Sequence, residues 1–114
     1  MAGAGPLPQF TAGDLTIDFA VRRVTRNSAE VRLTPTEYGL LTHLARNAGK
    51  VLTHRALLQT VWGPEYRDEH DYLWTYIRRL RRKLEEDPDQ PHYILTEPGV
   101  GYRVVTPEET TVTP

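Results

Sequence analysis

The 114-residue sequence predicts an α+β domain in which antiparallel strands come first, three helices follow and a β-hairpin closes the fold. Three observations carry that expectation. The apolar period changes from two to helical near Thr34, a later helix pairs an apolar stripe with a one-sided row of arginines, and "EPGVGY" places a Pro-Gly turn between two β-rich runs.

The elements follow in order. "LTIDFAVRRVTRNSAEVRL" shows period-two stretches, Leu15, Ile17 and Phe19 and then Val31 and Leu33, punctuated by Gly13 and by Asn27-Ser28, and reads as a small antiparallel meander. At Thr34 the chain turns helical, because Thr34 and Glu37 form a capping box and Pro35 suits the first helical position. Leu40, Leu41, Leu44, Ala45 and Ala48 then recur at helical spacing up to Gly49, which is expected to end the helix. Thr53 is the expected N-cap of a second helix that buries Leu57, Leu58, Val61 and Trp62 before Gly63-Pro64 stop it. A polar connection spans residues 63 to 70, and a third helix runs from about 71 to 86. Residues 92 to 105, "HYILTEPGVGYRVV", read as the hairpin. The folded unit is expected over 10–105, with 1–9 as a flexible linker and 106–114 as a flexible tail.

The third helix carries the functional signal. At about 100° per residue, Leu73, Ile77, Leu80 and Leu84 share an arc of roughly 60°, the stripe that packs on a core. Thr75, Arg79 and Arg82 then point away from it, with Arg78 and Lys83 on the flanks and Arg81 near the core edge. From Tyr72 to Leu84 there is no acidic residue, so the ridge lacks the interleaved Glu and Lys of an ordinary solvated face. Its charges repel one another unless a partner supplies negative charge. A membrane surface would need the apolar stripe to be free, which leaves nucleic acid or an acidic protein as partner.

Composition narrows the classes further. The net charge is −1, there is no cysteine, and the four histidines lack ligand spacing. "DEHD" at 68–71 reads as a solvated acidic loop rather than a cation site. No apolar run reaches the roughly 18 residues of a membrane span and no secretory signal opens the chain, so a cytoplasmic location is expected. No nucleophile with its base, phosphate loop or metal cluster is visible; neither enzyme activity nor a cofactor is expected.

A helix pair followed by a basic helix and a hairpin is the winged helix-turn-helix arrangement. "LTPTEYGLLTHLARNAGKVLTHRALLQTVWG", "YIRRLRRKLE" and "YILTEPGVGYRV" together resemble the C-terminal effector domain of two-component response regulators of the OmpR/PhoB type. The likeness covers about 30–105, and the N-terminal strands fit that family's four-stranded antiparallel sheet. "VWGPEY", "YL.TYIRRLRRKLE.DP" and "YI.TEPGVGYR" are further similar to regulators of potassium-transport Kdp operons.

By chemistry, Arg79 and Arg82 are candidates to reach guanine edges, Thr75 a thymine methyl or a phosphate, and Arg78, Arg81 and Lys83 phosphates. The resemblance places Trp62, Thr96 and Tyr102 at backbone-contacting positions, although a core role suits Trp62 and Tyr102 equally. It implies promoter DNA with tandem direct repeats, head-to-tail self-association on that DNA, and an N-terminal receiver domain that this chain lacks. It also implies that the loop at 63–70, with Glu65, Asp68 and Glu69, contacts RNA polymerase; a plain connector is the alternative. One departure stands out: where many members carry arginine in the wing turn, this sequence has Pro98, so minor-groove readout by the wing is not expected. The competing function is a protein-interaction module whose basic ridge binds an acidic partner.

Overall fold

A computed structural model of the chain describes residues 9–111. Strands β1 (Gln9–Ala12), β2 (Leu15–Asp18), β3 (Arg23–Arg26) and β4 (Ala29–Val31) form an antiparallel sheet in sequential order. Phe10, Ala12, Leu15, Ile17 and Val24 are its buried face, in the alternation that the period-two pattern requires. Arg26 pairs with Ala29 across Asn27 and Ser28, whose φ values are 52° and 67°. Two successive positive φ angles make the type I′ turn, whose twist matches that of paired strands.

Helix α1 (Pro35–Arg46) starts as expected: the Glu37 amide donates to Thr34 Oγ1 at 3.2 Å and the Thr34 amide donates to Glu37 Oε1 at 2.9 Å. It ends before Gly49, because Asn47 closes it and its Nδ2 donates to the His43 carbonyl at 2.9 Å. Two-residue strand β5 (Leu52–Thr53) follows, then α2 (His54–Val61), capped by Thr53 Oγ1, which accepts from the Ala56 amide at 3.0 Å. Helix α3 (His70–Leu84) begins one residue before the expected position and stops two short of it, at a Glu85 with extended backbone.

Strands β6 (Ile94–Glu97) and β7 (Gly101–Val104) make the hairpin, and β5 adds to β7 to give a three-stranded sheet ordered β5-β7-β6. The Val100 amide donates to the Glu97 carbonyl at 3.0 Å and Gly99 has φ 77°, the type II turn that Pro98-Gly99 predicts. Strand β5 was not expected from sequence. Its pairing explains Gly101, where a Cβ would run into the Leu52 carbonyl.

Leu40, Leu41 and Leu44 of α1, Leu57 and Leu58 of α2, and Leu73, Ile77, Leu80 and Leu84 of α3 are fully buried in one core with Ile94 and Val104. Each such side chain contributes about 1.5–3 kcal/mol relative to exposure, so α3 is held by its whole apolar stripe. The expectation of a flexible tail from 106 is corrected over the described part: Pro107–Thr111 form a short helix, α4, in contact with β1. Arg103 Nη1 donates to Glu109 Oε1 at 2.9 Å, and the Thr106 amide donates to the same oxygen at 2.8 Å. The linker expected at 1–9 lies outside the described residues except for Gln9, which begins β1, and 112–114 also lie outside them.

Candidate nucleic-acid interface

The core stripe of α3 decides what the helix presents. Thr75, Arg78, Arg79 and Arg82 are all exposed on the opposite side. Thr75 Oγ1 donates to the Asp71 carbonyl at 2.9 Å, which spends its proton and leaves the methyl group and the oxygen lone pairs outward. The Arg79 guanidinium rests 4.7 Å from the Tyr76 ring centroid, a contact that restrains the side chain without using its donors. Four groups suited to base edges and phosphates therefore project from a helix fixed along its other face.

Two of the expected phosphate holders are engaged within the protein. Arg81 is only 7% exposed; its Nη2 donates to the Ile94 carbonyl at 2.9 Å and to Thr96 Oγ1 at 2.8 Å, and its Nε donates to the same carbonyl at 3.2 Å. It fastens the wing to α3. Lys83 Nζ donates to Glu37 Oε1 at 2.7 Å and to the Arg32 carbonyl at 3.0 Å, which fastens α3 to α1. Burial pushes the Glu37 carboxyl up, but the Lys83 ammonium and the Thr34 amide outweigh it and hold it below its ordinary range.

Glu85 is a functional support that sequence reasoning missed. Its buried carboxylate accepts from the His92 amide at 2.7 Å, the Tyr93 amide at 3.0 Å and the Ile94 amide at 2.9 Å, and so joins the end of α3 to the start of the wing. The "EED" that follows the basic run carries no local sign of this role. Only the fold brings three backbone donors to one of its members.

Thr96 and Tyr102 are cross-strand partners in the wing, and Arg81 meets this pair. Thr96 is exposed, whereas Tyr102 is buried and its hydroxyl is pushed up by burial, with nearby Arg81 opposing. The ring lies edge-on to His54 at 5.6 Å, and His54 stacks on His70 at 4.4 Å. Burial, and then His70, hold the His54 imidazole below its ordinary pKa. Trp62 lies elsewhere, 5.2 Å from Tyr72 and 5.1 Å from Tyr76, with Tyr66 stacked on Tyr72 at 6.2 Å. Tyr72 and Tyr76 at i, i+4, flanked by Trp62 and Tyr66, are the sequence signal for this cluster.

The wing tip, Pro98 to Val100, is exposed and uncharged. In the connection between α2 and α3, Glu65, Asp68 and Glu69 are exposed. Glu69 Oε1 accepts from the amides of Arg67 at 2.8 Å and Asp68 at 3.0 Å, and these bonds, the Arg67 amide foremost, hold its carboxyl down. Among the described residues no cluster of three or more His, Cys, Asp or Glu could hold a metal ion, and no helix is long and apolar enough to cross a membrane.

A four-stranded sheet, three core helices with one basic face outward and a strapped hairpin define a winged-helix domain. Residues 28–104 match the transcriptional regulatory protein C-terminal family, and the chain belongs to that family of OmpR/PhoB-type domains. It is 50% identical over 96 residues to the transcriptional regulatory protein KdpE of Mycobacterium tuberculosis, covering 84% of this chain and 42% of that one. Identity to the KDP operon regulator KdpE of Escherichia coli is 48% over 102 residues, covering 90% and 45%. The chain thus spans less than half the length of these relatives. Its fold is similar to the response regulator DrrB of Thermotoga maritima, an OmpR/PhoB homologue (TM-score 0.79, 38% identity, 86% of this chain and 44% of that one). It is also similar to the Klebsiella pneumoniae RstA DNA-binding domain in complex with the RstA box (TM-score 0.78, 31% identity, 85% and 96%).

Proposed function

We propose that this domain binds promoter DNA sequence-specifically as the output module of a two-component response regulator, with α3 in the major groove and the wing on the flanking backbone. The observation that carries the reading is the exposed row Thr75, Arg78, Arg79 and Arg82 on a helix whose opposite face is wholly buried. A guanidinium fork on a fixed helix can pair with guanine O6 and N7, while exposed donors on the wing reach phosphates. Family membership and the likeness to a DNA-bound RstA domain support it.

In the same reading a phosphorylated receiver domain precedes this module in the whole cytoplasmic regulator, two copies lie head to tail on direct repeats, and the loop from Gly63 to Glu69 faces RNA polymerase. The higher identity to KdpE proteins than to the MtrA regulator of Mycolicibacterium smegmatis, 38%, supports a potassium-transport operon as target.

Selection of bound duplexes from a random pool, followed by titration at several salt concentrations, tests the proposal. One enriched motif is expected, with log affinity falling linearly as log salt rises. Enrichment of no sequence, or affinity indifferent to salt, sinks it, the latter in favour of a protein partner.

A further inference from the structure

Trp74 is the largest apolar side chain of α3 outside the core, and it remains 41% exposed. It is not part of the aromatic cluster around Trp62, Tyr72 and Tyr76, because it lies on the opposite flank of the helix. There it shares a shallow depression of about 100 Å³ with Arg78, Arg81, Arg82, Pro88 and Asp89. The Arg81 guanidinium lies 5.6 Å from the indole centroid and is itself tied to Ile94 and Thr96. The indole is therefore backed on one side by a fixed group and open on the other.

An exposed indole at the head of a row that continues one and two turns on as the exposed Arg78 and Arg82 is poorly suited to phosphate, since it offers one weak donor and a broad apolar surface. Leaving that surface in water costs free energy, and no described element of this chain covers it further. The base edges of a major groove present one apolar group, the C5-methyl of thymine, and apolar side chains read it by contact. We propose that Trp74 is a specificity-determining residue that packs on a thymine methyl of the major groove, with Arg78 one turn along the helix holding the adjacent phosphate. The charges farther along the row bring the duplex to the helix, and the indole then selects the methyl. This inference rests on the reading of the domain as a DNA-binding module.

The test replaces each thymine of the selected duplex, one at a time, by deoxyuridine, which keeps base pairing and removes only the methyl. Wild-type protein is expected to lose about fourfold in affinity at one position, the change that corresponds to one methyl leaving an apolar contact. Trp74→Ala should bind the thymine and uracil duplexes alike there, with an unchanged salt slope, and Trp74→Phe should keep part of the discrimination. Equal wild-type affinity for all thymine and uracil duplexes overturns the inference, as does discrimination that survives in Trp74→Ala. In both cases preference for the selected motif over random duplex is retained. Loss of that preference in the wild type would instead overturn the functional reading and this inference with it.

Discussion

Arg78, Arg79, Arg81 and Arg82 sit within five positions of α3, yet burial divides them into two kinds. A step of about 100° per residue places Arg81 against the wing and leaves the other three outward. Residue identity alone cannot separate a guanidinium that meets DNA from one that ties two elements together, since the same fork serves carbonyls and bases. The consequence is measurable. Arg79→Ala and Arg82→Ala are each expected to weaken binding to the selected site by about 1–3 kcal/mol and relax base preference, with urea unfolding nearly unchanged. Arg81→Ala leaves the Ile94 carbonyl without its buried donors, so it should lower unfolding stability by about 2 kcal/mol. Equal unfolding midpoints for Arg81→Ala and Arg79→Ala would contradict this division.

At the scale of elements, α3 is held at both ends. Its start leans on the Trp62, Tyr66, Tyr72 and Tyr76 cluster, and its end is joined to the wing through Glu85 and Arg81. The connection between α2 and α3 is positioned by Tyr66 while its carboxylates stay exposed, so the loop can be altered without moving the helix. Charge reversal at Glu65 or Asp68 in a regulator that carries this domain is expected to impair transcription while operator affinity stays within about twofold. Transcription in vitro and a binding titration on the same variants decide it; parallel loss of both would end the case for a polymerase-facing loop. Glu69 is a poorer probe, because its carboxylate also holds the Arg67 and Asp68 amides.

Across the whole molecule, the Glu37–Lys83 pair joins the first helix to the presented one. The folded-state pKa of Glu37 is depressed, so its contribution is fully present above the ordinary value of 4.5 and is lost as pH falls through the lower folded value. Lys83→Met removes the strongest lowering partner and leaves burial, opposed mainly by the Thr34 amide, to raise the carboxyl relative to the parent. That variant should be roughly 1–2 kcal/mol less stable at neutral pH, less than for a fully buried pair because Lys83 is 36% exposed. The difference should shrink as pH falls into the carboxylate range, where Glu37 protonates more readily in the variant. Urea unfolding of both proteins at pH 7 and pH 4 checks this, and a pH-independent gap would show that the pair acts by packing alone.

Local chemistry made most of the architecture legible in the sequence. The Thr34–Glu37 capping box, the Thr53 cap, the Asn27-Ser28 and Pro98-Gly99 turns and the Leu73–Leu84 stripe each depend on neighbours within a few residues, and each formed where it was read. Strand β5 and helix α4 were not legible, because a two-residue strand exists only through its pairing with β7 and the terminal turn only through its contact with β1 and Arg103. The site divided in the same way. Period and charge made the ridge readable, whereas the inward turn of Arg81 and Lys83 and the role of Glu85 were settled by groups 13, 46 and 9 positions away. Sequence alone determined which residues could form helices, caps and turns, since those interactions are local. Tertiary structure decided which charges remain for a partner, because a buried carbonyl or carboxylate must find a donor wherever the chain supplies one.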